Sequence, residues 1–203
     1  MSNKLIDSLI AKIPLDTMML NEKHVRRVQE CLLWTIQKRV AGDVVELGCN
    51  RGNMAIYTQS ILRAKTANKS LHVYDSFEGL PSPSTEDNSP DRTADKGHLG
   101  AAVQELLDFF NRYNVPIPII HKGWFKDQKY PDRISFAFLD GDFYQSLMDS
   151  WEAVYPRLSE GAIVCVHDYG FPPLVGVQKA CDEFLADKPH LMFWDDYVAI
   201  YIF

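Results

Sequence analysis

The sequence predicts one α/β domain on a mostly parallel sheet, with helices on both faces. Three observations predict it. Short β-branched runs alternate with amphipathic segments from residue 44 to 186, the last two apolar runs are separated by only DDY, and 203 residues at 46% hydrophobic content suffice for a single buried core.

Residues 3–39 read as a helical cap, with Val25, Val28, Leu32, Leu33 and Ile36 at helical spacing and Pro14 dividing a short helix from a longer one. Gly42-Asp43 then turns into VVEL (44–47), a strand that stops at Gly48. NMAIYTQSILRAK (53–65) suits a helix packed on it, and LHVYD (71–75) is the second strand. Residues 81–97, PSPSTEDNSPDRTADKG, carry almost nothing apolar and read as an exposed loop able to act as a mobile lid. A helix is expected at 101–113, strands at 117–120 and 134–140, a helix at 146–158, a strand at 162–168 and a helix at 177–186. Such alternation implies parallel strands joined by right-handed crossovers. The final runs, 191–194 and 198–203, are too closely linked to be anything but antiparallel neighbours. A seven-stranded sheet ending in such a hairpin is the Rossmann-like pattern of class I S-adenosylmethionine (SAM)-dependent methyltransferases, whereas a plain dinucleotide fold would not end that way. No repeat or linker divides residues 1–203 into two domains.

Composition excludes several partners. A net charge of −6 argues against a broad phosphate-binding surface, so nucleic acid is not an expected substrate. No apolar run reaches the roughly 20 residues that span a bilayer, which makes a cytoplasmic location the expectation. Cys31, Cys49, Cys165 and Cys181 form no Cys-x-x-Cys pair and read as free thiols.

Ligands of an open α/β sheet bind beyond the carboxyl ends of its strands. The first strand ends in Glu46-Leu47-Gly48-Cys49-Asn50-Arg51-Gly52, where Gly48 and Gly52 allow close backbone approach and Glu46 could orient an aminoacyl ammonium. A dinucleotide fingerprint would need glycine where Asn50 and Asn53 stand. Asp75, followed by Ser76, can accept both ribose hydroxyls, or else cap its loop. Trp124 and Phe125 could flank an adenine ring, or close the core.

The fourth strand ends in Asp140-Gly141-Asp142 and the fifth in His167-Asp168. In adjacent strands these groups converge, and closely packed carboxylates repel unless a cation lies between them. Mg²⁺ or Mn²⁺ suits the carboxylates, while the imidazole leans toward Mn²⁺, Fe²⁺ or Zn²⁺. Alternatively His167 is the general base, or these residues are ordinary loop caps.

GDVVELGCNRGNMA, YDSFEGLP, KGWF, LDGDFYQSLMDSWEAVYPRLSEGAIVCVHDYG and GVQKACDEF resemble, in order and spacing over about residues 40–186, the macrocin O-methyltransferase family. The resemblance implies a SAM-dependent O-methyltransferase acting on a sugar hydroxyl of a small molecule, as in macrolide and aminocoumarin biosynthesis. It implies Mg²⁺ held by Asp140 and the 167–168 pair, Asp142 as base, and Thr17-Met18 over the cofactor's aminoacyl group. The family pattern at that pair is two aspartates; here the first is His167. The chain is also shorter than the family's usual length, so part of the enclosure around a large glycoside is expected to be missing. The rival expectations are a metal-independent methyltransferase using His167, a NAD-dependent oxidoreductase and a non-catalytic binding protein.

Overall fold

The computed structural model describes residues 4–15, 17 and 19–203. In chain order the elements are α1 (Lys4–Lys12), α2 (Glu22–Gln37), β1 (Asp43–Leu47), α3 (Ala55–Ala64), β2 (Leu71–Asp75), α4 (Val103–Arg112), β3 (Ile119–Lys122), β4 (Ile134–Leu139), α5 (Tyr144–Val154), β5 (Leu158–His167), α6 (Val175–Leu185), β6 (Leu191–Asp195) and β7 (Val198–Ile202). They form one sheet of order β3-β2-β1-β4-β5-β7-β6. Strands β1 to β5 run parallel, and β7 runs antiparallel to both β5 and β6.

Side-chain alternation along the strands separates two cores. Val44, Val73, Phe136, Phe138, Ile163 and Cys165 pack into one with Val25, Val28 and Leu32 of α2 and Ile56 of α3. Val45, Tyr74, Ala137, Leu139, Val164 and Val166 pack into the other with Leu147 and Trp151 of α5 and Val177 of α6. Helices therefore cover both faces, as expected. Because Phe138 pairs with Cys165 and Leu139 with Val166, the next residues of that alternation, Asp140 and His167, come side by side on the α2 face.

Helix ends shift by up to four residues from the sequence reading, as at α5, which runs Tyr144–Val154 where 146–158 was expected, and two strand starts shift for reasons the sheet explains. β3 begins two residues later than expected, since this edge strand has half-exposed positions such as Ile119, at 47%, and its apolar residues no longer mark a core. β5 begins at Leu158, not 162, because Leu158 already pairs with Ile134 across a register shift. The hairpin turn is two residues, Asp196 (φ +50°) and Tyr197 (φ +60°). Both are left-handed, as a turn matching the strands' twist requires.

The 81–97 segment is polar, yet it is anchored. Asp87 is 2% exposed and accepts hydrogen bonds from the Tyr144 backbone N–H (2.7 Å) and from the Ser84 N–H and hydroxyl (2.8 Å each). Ser89 donates to the Pro172 carbonyl at 2.8 Å. Gly176 makes room for this anchor, since a Cβ there would lie 1.9 Å from Asp87 Oδ1. Gly176→Ala is accordingly expected to expel Asp87, cost about 1–3 kcal/mol and speed proteolysis within 81–97. A thermal melt and a limited digest check both, and an unchanged melting point would refute the anchor.

On the other side of β2, His72 Nδ1 lies 3.0 Å from His121 Nε2. His121 also stacks on Tyr74, with centroids 4.4 Å apart. Burial holds both imidazoles below their ordinary value; nearby Asp43 opposes the shift at His72, and His72 adds to it at His121. The folded state thus binds fewer protons than the unfolded chain, so this pair favours folding above about pH 6.5 and loses that contribution as pH falls through the window below it. In melts from pH 7.5 to 5.5, His121→Gln should lose less stability than the wild type; an equal or greater loss would refute the assignment.

Candidate active site

A cavity of about 670 Å³ opens at the carboxyl ends of the parallel strands. Gly48, Asn50, Asp75, Ser76, Trp124, Phe125, Asp140, Asp142, His167 and Asp168 all line it, which brings together ten of the fourteen residues singled out from the sequence. Glu46 does not reach the wall. It is 2% exposed and sits beneath the Gly48 turn, with Oε2 unpartnered among the described residues. Gly52 is also off the wall; its φ is +83° and its missing side chain leaves room for Phe110 and Leu106 of α4. Thr17 accepts a hydrogen bond from the Met19 N–H at 3.1 Å, and Met19 lines the cavity. Met18 lies outside the described residues.

The turn after β1 is built on close backbone approach. Gly48 has φ +92°, and a Cβ there would fall 1.9 Å from the Asp140 carbonyl oxygen. Asp75 ties this turn to the next one, accepting the Asn50 N–H at 2.8 Å and the Phe77 N–H at 2.7 Å. It therefore does cap its loop, and it faces the cavity as well. Ser76 is occupied by the same turn, donating to the Gly79 carbonyl and accepting the Glu78 N–H, both at 3.0 Å.

Asn50 (φ +46°), Asp142 (φ +59°) and Asp168 (φ +60°) follow three neighbouring strands, and each holds a left-handed conformation. Asparagine and aspartate enter this region more readily than other L-residues because their short polar side chains bond locally, which lets all three strand ends turn sharply at the cavity.

Charge at the wall is one-sided. Asp75, Asp140, Asp142, Asp149 and Asp168 line it, with Lys126 the one lysine or arginine among the described lining residues. Burial raises the Glu46 carboxyl well above its ordinary range, and Asp140 and Asp75 add to that. Asp142 is likewise raised, by burial and then by Asp140 and Asp168. His167 is 4% exposed. Burial opposes charging its ring, but Asp140 and Asp168 outweigh burial and hold the imidazole well above its ordinary value. Its Nδ1 lies 3.1 Å from Asp140 Oδ1 and 3.0 Å from Asp168 Oδ2. Each of the three residues offers a donor atom within 4.8 Å of the other two.

These residues fit a divalent cation. An octahedral ion with bonds of about 2.1 Å spaces neighbouring donors about 3.0 Å apart, close to the spacing around His167 Nδ1. They also fit a cationic ligand, since the wall offers excess negative charge and Glu46 an unmatched carboxylate oxygen beneath it.

Sequence reasoning missed several lining groups, Lys126 among them. His24 arrives from α2, Gln145 and Asp149 from α5. For His24 the available signal was Asn21 three residues earlier, the spacing of a helix cap.

The sheet order, the antiparallel β7, the glycine turn after β1 and the acid ending β2 together define a class I SAM-dependent methyltransferase fold. The structure of the O-methyltransferase NovP superposes with a TM-score of 0.80 at 28% identity, covering 91% of this chain and 81% of that one. The chain belongs to the macrocin O-methyltransferase family: the model described as Macrocin-O-methyltransferase (TylF) matches residues 12–201. Among curated relatives, an 8-demethyl-8-(2,3-dimethoxy-alpha-L-rhamnosyl)-tetracenomycin-C 4'-O-methyltransferase from Streptomyces olivaceus is 33% identical over 162 residues, 74% of this chain. Mycinamicin III 3''-O-methyltransferase from Micromonospora griseorubida is 30% identical over 166 residues, 76% of this chain. The matched regions span 62% and 65% of those proteins' lengths.

Proposed function

We propose that this protein is a SAM-dependent O-methyltransferase whose acceptor is a hydroxyl of a sugar or glycosylated small molecule, with a divalent cation, Mg²⁺ or Mn²⁺, at Asp140, His167 and Asp168. The observation that carries the reading is the acidic wall, with five aspartates and one lysine around a cavity at the strand tips. A sulfonium, an ammonium and a divalent cation are the charges such a wall selects. The activities for which the two relatives are named support a sugar hydroxyl as acceptor. The net charge of −6 supports a small molecule over nucleic acid. Among the described residues no helix is long and apolar enough to cross a membrane, and we place the reaction in the cytoplasm.

Each residue then has a task. Asp75 accepts the ribose hydroxyls, with Ser76 holding its turn. Asn50 presents the turn after Gly48, and Gly52 seats that turn on α4. Glu46 lies beneath the aminoacyl end, where a ligand ammonium would favour its ionised form, and Thr17-Met18 is the pair the family resemblance assigns to the same end. Trp124 and Phe125 flank the adenine, and the 81–97 segment, anchored through Asp87, covers the cavity with Thr93 and Ala94. Bound SAM would supply an electrophilic methyl carbon on sulfur; a cation at the triad would lower the acceptor hydroxyl's pKa. Asp142 is placed to take the hydroxyl proton, which would leave the acceptor oxygen's lone pair free for the methyl that bound SAM would supply.

The metal-independent reading makes His167 the base. The ring Nδ1 is engaged by Asp140 and Asp168 and its Nε2 by His24, which leaves neither ring nitrogen free for an acceptor hydroxyl and favours Asp142.

Calorimetry with S-adenosylhomocysteine tests the cofactor half. Binding is expected, weakened by about 10–100-fold in Asp75→Ala, the equivalent of roughly 1.5–3 kcal/mol for hydrogen bonds to a charged group. The absence of both heat and a thermal shift in the wild type would end the reading. Turnover of rhamnosylated and macrolide acceptors should fall on EDTA treatment and return with Mg²⁺ or Mn²⁺; EDTA-resistant turnover would restore the metal-independent alternative.

A further inference from the structure

His24 enters the site from a different layer of the fold. It lies 143 positions before His167 in the chain and is 7% exposed. Its backbone N–H donates to Asn21 Oδ1 at 2.9 Å, the cap that starts α2. Its Nδ1 lies 3.1 Å from His167 Nε2, with the rings edge-on and their centroids 4.9 Å apart. On its far side Nε2 lies 3.6 Å from Asp196 Oδ2 in the β6–β7 turn, and the Asp196 backbone also faces this ring. Both faces of His167 are therefore occupied, Nδ1 by the carboxylates and Nε2 by His24.

The chemistry of imidazole decides what that contact does. A neutral histidine that gives its Nδ1 lone pair to a metal keeps its one ring hydrogen on Nε2. A buried N–H left without an acceptor costs about 1–3 kcal/mol, and His24 Nδ1 is the acceptor within reach. Accepting there forces the hydrogen of His24 onto its own Nε2, where Asp196 presents its carboxylate. We infer that His24 is a positioning residue for the cation site, receiving the His167 Nε2–H and relaying the load through its own Nε2–H to Asp196. This rests on the cation reading of the Asp140–His167–Asp168 triad. It ties α2, and with it the Met19 segment at the cavity wall, to the β6–β7 turn through the site. Asn21 Nδ2 lies 3.0 Å from His24 Nε2. Being a donor, it favours the opposite tautomer and opposes loading.

Mn²⁺ binding to the full chain, followed by the loss of the free-ion EPR signal, tests this without any turnover. His24→Leu keeps the volume and removes the acceptor, so its affinity should fall by about 10–100-fold, the usual scale for an outer partner of a metal-bound histidine. His24→Asn places a side-chain oxygen near the lost Nδ1 and should recover most of that affinity. Asn21→Ser keeps a helix cap but removes the opposing donor, and should bind at least as tightly as wild type. His24→Leu binding like wild type, His24→Asn binding no better than His24→Leu, or Asn21→Ser binding more than tenfold weaker would each overturn the inference while the triad survives. Wild-type protein binding no Mn²⁺ would remove the cation reading and this inference with it. Should a variant not fold, imidazole ¹⁵N spectra of the Mg²⁺-loaded wild type decide: a hydrogen on His24 Nε2 is expected, and one on Nδ1 would be fatal.

Discussion

Asp142→Asn is expected to lower kcat by about 10²–10⁴-fold, the range for loss of a positioned general base, while leaving S-adenosylhomocysteine affinity and the melting temperature nearly unchanged. The substitution is a clean test because asparagine and aspartate both tolerate the left-handed conformation found at φ +59°. The backbone has no reason to move. What changes is proton affinity. Asp142 sits among Asp140, Asp168 and Asp75, and burial together with the first two raises its carboxyl, bringing it nearer the pH at which a base is most effective. An amide cannot take the proton. Asp140→Asn should behave differently, since Asp140 contacts His167 directly and its loss should weaken Mn²⁺ binding as well as turnover. If Asp142→Asn retains more than about a third of wild-type kcat, the base must be sought elsewhere on the wall.

The meeting of Asp140 with His167 was legible in the sequence because it depends on short-range rules. Parallel strands ending in acids, neighbours in the usual order, and a period of two place those side chains together before any tertiary detail is known. The Glu46-x-Gly48 turn and Asp75 were legible for the same reason, each standing at the carboxyl end of a strand. His24 was not, because its position depends on how α2 crosses β5, and helical periodicity reports that a face is buried without naming the strand beneath it. Glu46 illustrates the converse limit. Its type and place in the motif were readable, but lying two residues below Gly48 on the same face puts it behind the wall. The anchoring of 81–97 was hidden because composition describes averages, and a single buried Asp87 opposite Gly176 decides the matter.

Gly48→Ala is expected to be the most damaging single substitution in the site, costing about 3–5 kcal/mol and lowering the melting temperature by roughly 10 °C or more. Two contributions add. Alanine at φ +92° carries left-handed strain, and its Cβ would fall 1.9 Å from the Asp140 carbonyl oxygen and 2.7 Å from the carbonyl carbon. Neither atom can swing aside like a side chain. The Asp140 N–H is bonded to the Leu47 carbonyl at 2.8 Å and the Gly48 N–H to the Tyr74 carbonyl at 2.8 Å, so separating the two turns means breaking the sheet where β1 meets β2 and β4. Relief would therefore come from moving Asp140 away from His167, which couples this defect to the cation site. Gly48→Ala should lose both S-adenosylhomocysteine binding and Mn²⁺ binding, whereas Asp75→Ala should weaken the first and spare the second. Calorimetry and EPR on the two variants test the pairing. A Gly48→Ala protein that melts within about 2 °C of wild type and binds both ligands would show that the close approach of these strand tips is not what holds the site together.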